Sequence, residues 1–180
     1  MGRPGTPTQD RHRARNDPRA YTRVVSSGFT HLDGQGNARM VNVTGKEPTR
    51  RRAVARCTVR AGAADLRALE PGGSAHEAIE AARWAGVQAA KATSDLIPLC
   101  HPLPLGNVSV EVSVGDGSVS IAAVTETFER TGVEMEALTA CAVAALTVMG
   151  ACGSDGSPPV LEGLALFEKT GGRSGTWRRG

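Results

Sequence analysis

The chain has 180 residues, of which 40% are hydrophobic but only 3% aromatic, so it can form one domain whose core is built from Ala, Val, Leu and Met. Its net charge of +3 is concentrated at the start, where residues 1–27 hold six Arg and two Asp. The sequence has neither a run of about 18 apolar residues nor a secretory signal, which excludes a membrane-spanning class. The four cysteines lack CxxC or zinc-finger spacing, which predicts reduced thiols in a cytoplasmic protein.

Residues 1–27 are rich in Arg, Pro, Gly and Thr without an apolar period, so we expect a disordered basic N-terminal extension. No aromatic residues are interleaved for base stacking, which argues against a nucleic-acid partner. We expect residues 28–177 to form the folded domain, with order beginning near Phe29. A turn is predicted at Asp33-Gly34.

A cationic run at Lys46 and Arg50–Arg52 precedes the first clear strand, at Ala53–Arg60. The predicted buried side of that strand consists of Ala53, Ala55, Cys57 and Val59. A short helix is predicted within Ala61–Glu70, and Pro71-Gly72-Gly73 ends it.

Two capping-box patterns predict the starts of the two main helices. Ser74 with Glu77 opens a helix that runs to about Ala92, with Lys91 at its end. The predicted buried stripe of this helix is Ile79, Ala82, Gly86 and Ala89. Thr131 with Glu134 opens the longest helix, to about Ala151. The predicted buried side of this one is Met135, Leu138, Ala142, Ala145, Leu146 and Met149.

Strict alternation over Val108–Val114 predicts a strand, the turn Asp116-Gly117 predicts a hairpin, and Ser118–Thr127 returns as the partner strand. A flexible break at Gly153–Pro159 precedes a last strand at Val160–Phe167. The order strand, helix, strand, strand, helix, strand predicts an α+β, ferredoxin-like split βαβ fold, with an antiparallel sheet and both helices on one face. The other face would be free for oligomerisation.

Three polar clusters are candidates for chemistry. The first is Lys91 with Cys100-His101 between two prolines; the second is the helix start from Arg130 to Glu136, where anions bind readily. The third combines the cationic run with glycines and cations near the C-terminus, namely Lys169, Gly171, Gly172 and Arg173. A loop His is often structural, and basic loops are often only solvated. No Walker, GxSxG or HExxH motif is present, so the residues alone support a small anion-binding enzyme or binder.

Three segments carry a family resemblance: AGVQAAKATSDLIPLCHPL from residue 85, TGVEMEALTACAVAALT from residue 131 and KTGGRSG from residue 169. With the N-terminal segment FTHLDGQGNARMVNV, the chain resembles the MoaC family, the cyclic pyranopterin monophosphate synthases of molybdenum cofactor biosynthesis. The similarity covers about Phe29 to Trp177.

The resemblance implies a hexamer built as a trimer of dimers, with the active site at a subunit interface. The family reaction rebuilds a cyclised GTP nucleotide, made by a radical-SAM partner, into cyclic pyranopterin monophosphate and releases pyrophosphate. The substrate-binding positions that it implies here are Leu99, Cys100, His101, Met135, Glu136, Lys46, Arg51, Lys91 and Lys169. No cofactor is expected, except Mg²⁺ accompanying a triphosphate.

The chain departs from the family at groups expected to move protons. The family's long helix ends in an Asp with a Lys three residues later, and the matching positions are Gly150 and Gly153. A second family Lys corresponds to Ala75, and a family Asp to Asn42. The remaining candidates for proton transfer are His76, His101, Glu136 and Asp155.

Three hypotheses follow. The first and preferred one is a divergent paralogue that binds a phosphorylated purine- or pterin-like nucleotide and performs altered chemistry, because each lost acid or base commonly costs about 10²–10⁴ in rate. The second is an authentic cyclic pyranopterin monophosphate synthase. The third is a non-catalytic binding or regulatory subunit.

Overall fold

The computed structural model describes residues 35–180, apart from 116, 154, 155 and 157. The predicted disordered extension, the ordered start near Phe29 and the turn at Asp33-Gly34 therefore lie outside the described residues. So do Asp116 of the predicted hairpin turn and the candidate Asp155. The chain divides into two units, residues 1–41 and 42–180, and the second unit holds all the helices and longer strands described below.

The described residues of the second unit form five strands and four helices. The strands are β1 (Thr49–Arg60), β2 (Asn107–Gly115), β3 (Ser118–Glu129), β4 (Val160–Thr170) and β5 (Trp177–Arg178). The helices are α1 (Ala63–Leu69), α2 (Glu77–Lys91), α3 (Thr93–Leu96) and α4 (Glu134–Gly150). The short α3 and β5 were not predicted, and β1 begins four residues earlier than its alternation indicated.

The strands form one antiparallel sheet in the order β2-β3-β1-β4-β5. Ile121 in β3 pairs with Cys57 of β1 on one side and with Val112 of β2 on the other. With α2 and α4 packed on one face of the first four strands, the ferredoxin-like prediction is confirmed.

The predicted buried sides of β1 and α2 are both confirmed. In β1 the four residues Ala53, Ala55, Cys57 and Val59 are buried, as period-2 alternation requires. In α2, Gly86 faces α4 so closely that a Cβ there would meet the Ala140 carbonyl oxygen at 2.9 Å. A glycine at this crossing therefore lets the two helices approach without a steric clash.

The predicted buried side of α4 was only partly right. Ala145 is buried, and Leu138 and Met149 are partly buried against the core. Met135 and Leu146 are 38% and 59% exposed, whereas small residues face the core. The buried residues of α4 are Glu136, Ala137, Ala140, Cys141, Ala144, Ala145 and Val148. Close contact with α2 selects small side chains for the inner face of α4. Because α4 is apolar on every side, its sequence has no hydrophobic periodicity from which that face could be predicted.

Neither predicted capping box forms. Helix α2 begins after His76 and α4 after Val133, and the side chain of neither residue accepts a hydrogen bond from the first helical turn. The start of α4 is instead fixed by the sheet, because the buried Thr125 hydroxyl of β3 donates to the Val133 carbonyl oxygen at 2.9 Å. Among the described residues, no helix combines the length and the apolar character needed to cross a bilayer.

Candidate functional site

A cationic cleft of about 650 Å³ lies where the ends of β1, β3 and β4 meet the segment before α4. Its basic residues are Lys46, Arg51, Arg130 and Arg173, against a single acidic lining residue, Glu47. The remaining lining residues are Gly45, Thr49, Thr131, Gly132, Gly172 and Ser174. This excess of positive charge suits a polyanionic ligand.

Strand pairing brings two of the predicted clusters together in this cleft. Thr49 at the start of β1 pairs with Glu129 at the end of β3, which places the cationic run beside Arg130 and Thr131. The Thr49 hydroxyl is buried and has no hydrogen-bond partner among the described residues. A buried hydroxyl without a partner is costly.

Arg51 is held in the cleft by two backbone carbonyls. Its Nε donates to the Glu129 oxygen and its Nη2 to the Arg130 oxygen, each at 3.2 Å. Arg52 points to the opposite face of the sheet, where it pairs with Glu168 at 2.8 Å and with Glu126 at 3.6 Å. The predicted cationic run is therefore divided by strand alternation, and Arg51 reaches the cleft while Arg52 does not.

Gly172 lines the cleft beside Arg51, and Gly171 precedes it against Arg50 and Arg51. The φ angles of Gly171 and Gly172 are +96° and +70°, a region that side chains disfavour. A Cβ on Gly171 would collide with the Arg50 carbonyl oxygen, and one on Gly172 with the Arg51 guanidinium. Both glycines are therefore required for the backbone to pass beside these arginines.

Lys169, near the end of β4, contacts both the cleft residue Ser174 and the start of α4. Its Nζ donates to the Ser174 hydroxyl at 2.9 Å and is 3.9 Å from Glu134 Oε1. The Glu134 carboxylate folds back over Gly132, leaving no room there for a Cβ. Lys169 and Ser174 thus connect the glycine-rich turn to the helix start.

Glu136 is the buried carboxyl group of the site, with 4% of its surface exposed. Burial raises its pKa from the usual 4.5 to about 7, and the nearby charge of Glu134 adds to the rise, while its own backbone amide opposes it. A carboxyl group with this pKa can both give and accept a proton near neutral pH.

Cys100 lies within electrostatic range of Glu136. Its pKa is raised, first by burial and then by the Glu136 charge, so the group is a thiol at neutral pH and not an activated nucleophile. Leu99 and His101 flank it and are half-buried. The Cys100 amide closes the turn by donating to the Ile97 carbonyl at 3.0 Å. Met135 lies in the first turn of α4, next to Glu136. The assignment of the turn at Leu99–His101 and of Met135 to substrate binding remains a prediction.

Two predicted site residues lie outside this arrangement. Lys91 lines a different cleft, of about 450 Å³, together with Leu103, Leu105 and Asn107. His76 immediately precedes α2, and its Nδ1 lies 3.0 Å from the Leu69 carbonyl oxygen. The catalytic assignment of His76 therefore remains a prediction, and its described contact is structural.

The positions where the resemblance places family acids and bases carry no ionisable side chain. Ala75 is half-buried against the core, whereas Gly150 is exposed and a Cβ there would meet nothing within 4 Å. Gly153 has a φ of +108°. Asn42 Oδ1 accepts from the Thr44 amide at 2.9 Å and hydroxyl at 2.7 Å, a turn contact that an Asp would make equally well.

Comparison with known proteins gives a consistent result. Residues 40–172 match the MoaC family model. The chain is 50% identical over 154 residues to the cyclic pyranopterin monophosphate synthase of Thermomicrobium roseum, covering 84% of this chain and 93% of that protein. It is 44% identical over 178 residues to the Streptomyces avermitilis protein of the same name, covering 98% and 94%.

Proposed function

Because this chain belongs to the MoaC family, we propose that it is a cyclic pyranopterin monophosphate synthase. It would convert the cyclised GTP nucleotide into cyclic pyranopterin monophosphate and pyrophosphate, in the cytoplasm, as a step of molybdenum cofactor biosynthesis. The names of both relatives support the second hypothesis, an authentic synthase, over the first and preferred hypothesis of a divergent paralogue with altered chemistry. The observation that carries the proposal is the cationic cleft. Glu136, with a pKa of about 7, follows the cleft residue Gly132 by four positions, in the first turn of α4.

The cleft accounts for binding of the phosphates. Arg51, Arg130, Arg173 and Lys46 offer four positive charges, and arginine forks bind phosphate oxygens in a bidentate manner. Lys169, which the resemblance also assigns to phosphate, lies next to the cleft through Ser174. We propose that Mg²⁺, where it participates, enters on the triphosphate, since this ion commonly binds substrate phosphates with one or two carboxylates.

The purine-derived ring would then lie against the turn Leu99–His101 and the helix start. There Glu136, with a pKa of about 7, transfers a proton to or from the ring as its bonds are rearranged. His101 is a second proton-transfer candidate on the same turn. Cys100 supplies a neutral surface, because its pKa is raised.

A second copy of the chain is part of the proposal. Helix α4 has 17 residues, so at 1.5 Å per residue its two ends lie about 24 Å apart. Gly150 and the Glu136 end of the same chain therefore cannot touch one small substrate. Met135 and Leu146 leave apolar surface exposed along α4, which a neighbouring subunit can cover. We propose a trimer of dimers in which the α4 C-terminal end of one copy approaches the cleft of another.

The direct test is to give purified protein the cyclised GTP nucleotide, or to couple it to the radical-SAM enzyme that makes this compound, and to measure cyclic pyranopterin monophosphate and pyrophosphate. Both products should form, and Arg51→Ala should lose them. No product under conditions where the Thermomicrobium relative turns over would reject the synthase assignment.

A specific observation favours a second candidate, in which the same nucleotide class undergoes altered chemistry. Ala75, Gly150 and Gly153 leave three positions without an acid or base, and the space beside Gly150 is open. The same assay separates the two candidates, because altered chemistry predicts consumption of the nucleotide without cyclic pyranopterin. Binding without any consumption would identify a non-catalytic subunit.

A further inference from the structure

Asp65 is a buried carboxylate that the proposed site does not use. It lies in the first turn of α1, where an acidic residue normally faces solvent and the helix dipole, yet only 1% of its surface is exposed. A buried carboxylate is strongly unfavourable unless hydrogen bonds compensate for its lost hydration. Its partners should therefore indicate what the residue does.

One partner is Gly153, in the turn that follows α4. Asp65 Oδ2 accepts from the Gly153 amide at 2.8 Å, across 88 residues of sequence. Gly153 adopts a φ of +108°, a conformation that side chains rarely take. The chain leaves α4 through Ala151 and Cys152, whose amides still donate to carbonyls of the last helical turn. Gly153 is the first residue there whose amide is held by another element.

The helix that carries Asp65 is firmly attached to the core. Leu66 and Leu69 are 6% and 0% exposed, and the segment after α1 is tied back by the Ala75 amide, which donates to the Ala68 carbonyl at 2.9 Å. The carboxylate is thus presented from a fixed platform to a glycine-rich segment. A charge-assisted bond of this kind is stronger than a neutral one.

We propose that Asp65 is a positioning residue, whose carboxylate fixes the backbone after α4 so that this turn meets a neighbouring subunit's substrate in one conformation. Its kinetic consequence rests on the proposed synthase function and on the proposed approach of α4 to the next cleft. The structural consequence rests only on the contact between Asp65 and Gly153.

The test compares Asp65→Ala and the near-isosteric Asp65→Asn with Glu70→Ala, which removes an exposed acid from the end of the same helix. Hydrogen exchange at the Gly153 amide should be about 10- to 100-fold faster in Asp65→Ala, as expected for loss of a hydrogen bond to a charged group. Asp65→Asn should fall between, and Glu70→Ala should match the wild type. Unchanged exchange in Asp65→Ala would overturn the proposal.

Kinetics then distinguish positioning from simple stabilisation. In the full-length protein, kcat should fall about 10-fold or more in Asp65→Asn, because the turn would no longer hold the neighbouring subunit's substrate in one orientation. The affinity for inorganic tripolyphosphate should stay unchanged. Gly153→Ala should resemble Asp65→Ala, and the double variant should lose no more than the worse single one. Additive losses, or an unchanged kcat despite faster exchange, would reject a role in the reaction.

The two proposals fail in different ways. If Asp65→Ala does not fold, Asp65→Asn and Gly153→Ala still report on the contact. If the wild type itself makes no cyclic pyranopterin, the synthase assignment is wrong and the role of Asp65 in the reaction is rejected with it. The exchange measurement would still decide whether Asp65 holds the turn.

Discussion

Replacing Glu136 by Gln should stabilise the folded protein in alkaline solution far more than in acid. Burial raises the pKa of this carboxyl from 4.5 to about 7. The folded protein therefore holds a proton between these pH values that the unfolded chain has already lost. Stability falls wherever the folded state binds more protons as pH rises, so the wild type should lose stability from about pH 4.5 to pH 7 and then level off.

The magnitude follows from the difference between the two pKa values. At about 1.4 kcal/mol per unit, the ionised Glu136 costs the folded state about 3 kcal/mol at pH 8. Roughly 1 kcal/mol of that cost is already present at pH 5, because the unfolded chain is then largely ionised. Glutamine keeps the shape and never ionises. The stability gained by Glu136→Gln should therefore grow by about 2–3 kcal/mol between pH 5 and pH 8.

Urea unfolding of wild type and Glu136→Gln at both pH values, at one protein concentration, measures this difference. Contributions from the ionisable groups that both proteins share cancel in this difference. Glu70→Gln is the matched control, because this carboxyl group is exposed at the end of α1 and lies outside the site. An equal stability difference at pH 5 and pH 8 would refute the reasoning. Glu136→Gln should also lose about 10²–10⁴ in synthase turnover if it moves a proton.

Three further predictions concern the cleft and the end of α4. Arg51→Ala should weaken tripolyphosphate binding by about 10- to 100-fold in calorimetry, whereas Arg52→Ala, on the other face of β1, should bind normally; equal losses would contradict the assigned faces. Gly172→Ala should reproduce the Arg51→Ala defect, because its Cβ would displace the guanidinium, and normal binding would show that the turn can relax. Gly150→Asp should change the free energy of unfolding, measured by thermal denaturation, by less than about 1 kcal/mol, because residue 150 is helical and has open space beside it. A larger loss would contradict that geometry.

The fold was largely predictable because apolar and polar residues alternate with a period of two along its strands. Ala53, Ala55, Cys57 and Val59 were expected on one side of β1 and are all buried. The short hairpin between β2 and β3 then fixed the pairing of those strands. The inner face of α4 was not predictable in the same way. The large apolar residues Met135 and Leu146 were expected in the core, but alanines of the same helix occupy it. Packing distance to Gly86 selected the smaller residues, and that distance is a tertiary property.

The candidate site was predictable in its residue types but not in its grouping. Lys46, Arg51, Arg130 and Arg173 were assigned to two separate clusters, and only the pairing of Thr49 with Glu129 joins them. The period of β1 could have shown that Arg51 and Arg52 point in opposite directions. Nothing local in the sequence indicated that Asp65 is buried, because its partner is 88 residues away.

The departures at the end of α4 are of two different kinds, which affects how the missing acid–base groups should be sought. Gly150 is helical with open space beside it, so a carboxylate could be restored there without moving the backbone. Gly153 has a φ of +108° and is bound to Asp65, so a lysine there would be strained by about 1–3 kcal/mol or would require the turn to change. The glycine at residue 153 and the buried Asp65 are therefore linked, because the hydrogen bond between them holds the backbone conformation that favours glycine. An increase in turnover through Gly150→Asp alone is consistent with this backbone, whereas Gly153→Lys should increase turnover only together with a substitution that releases Asp65.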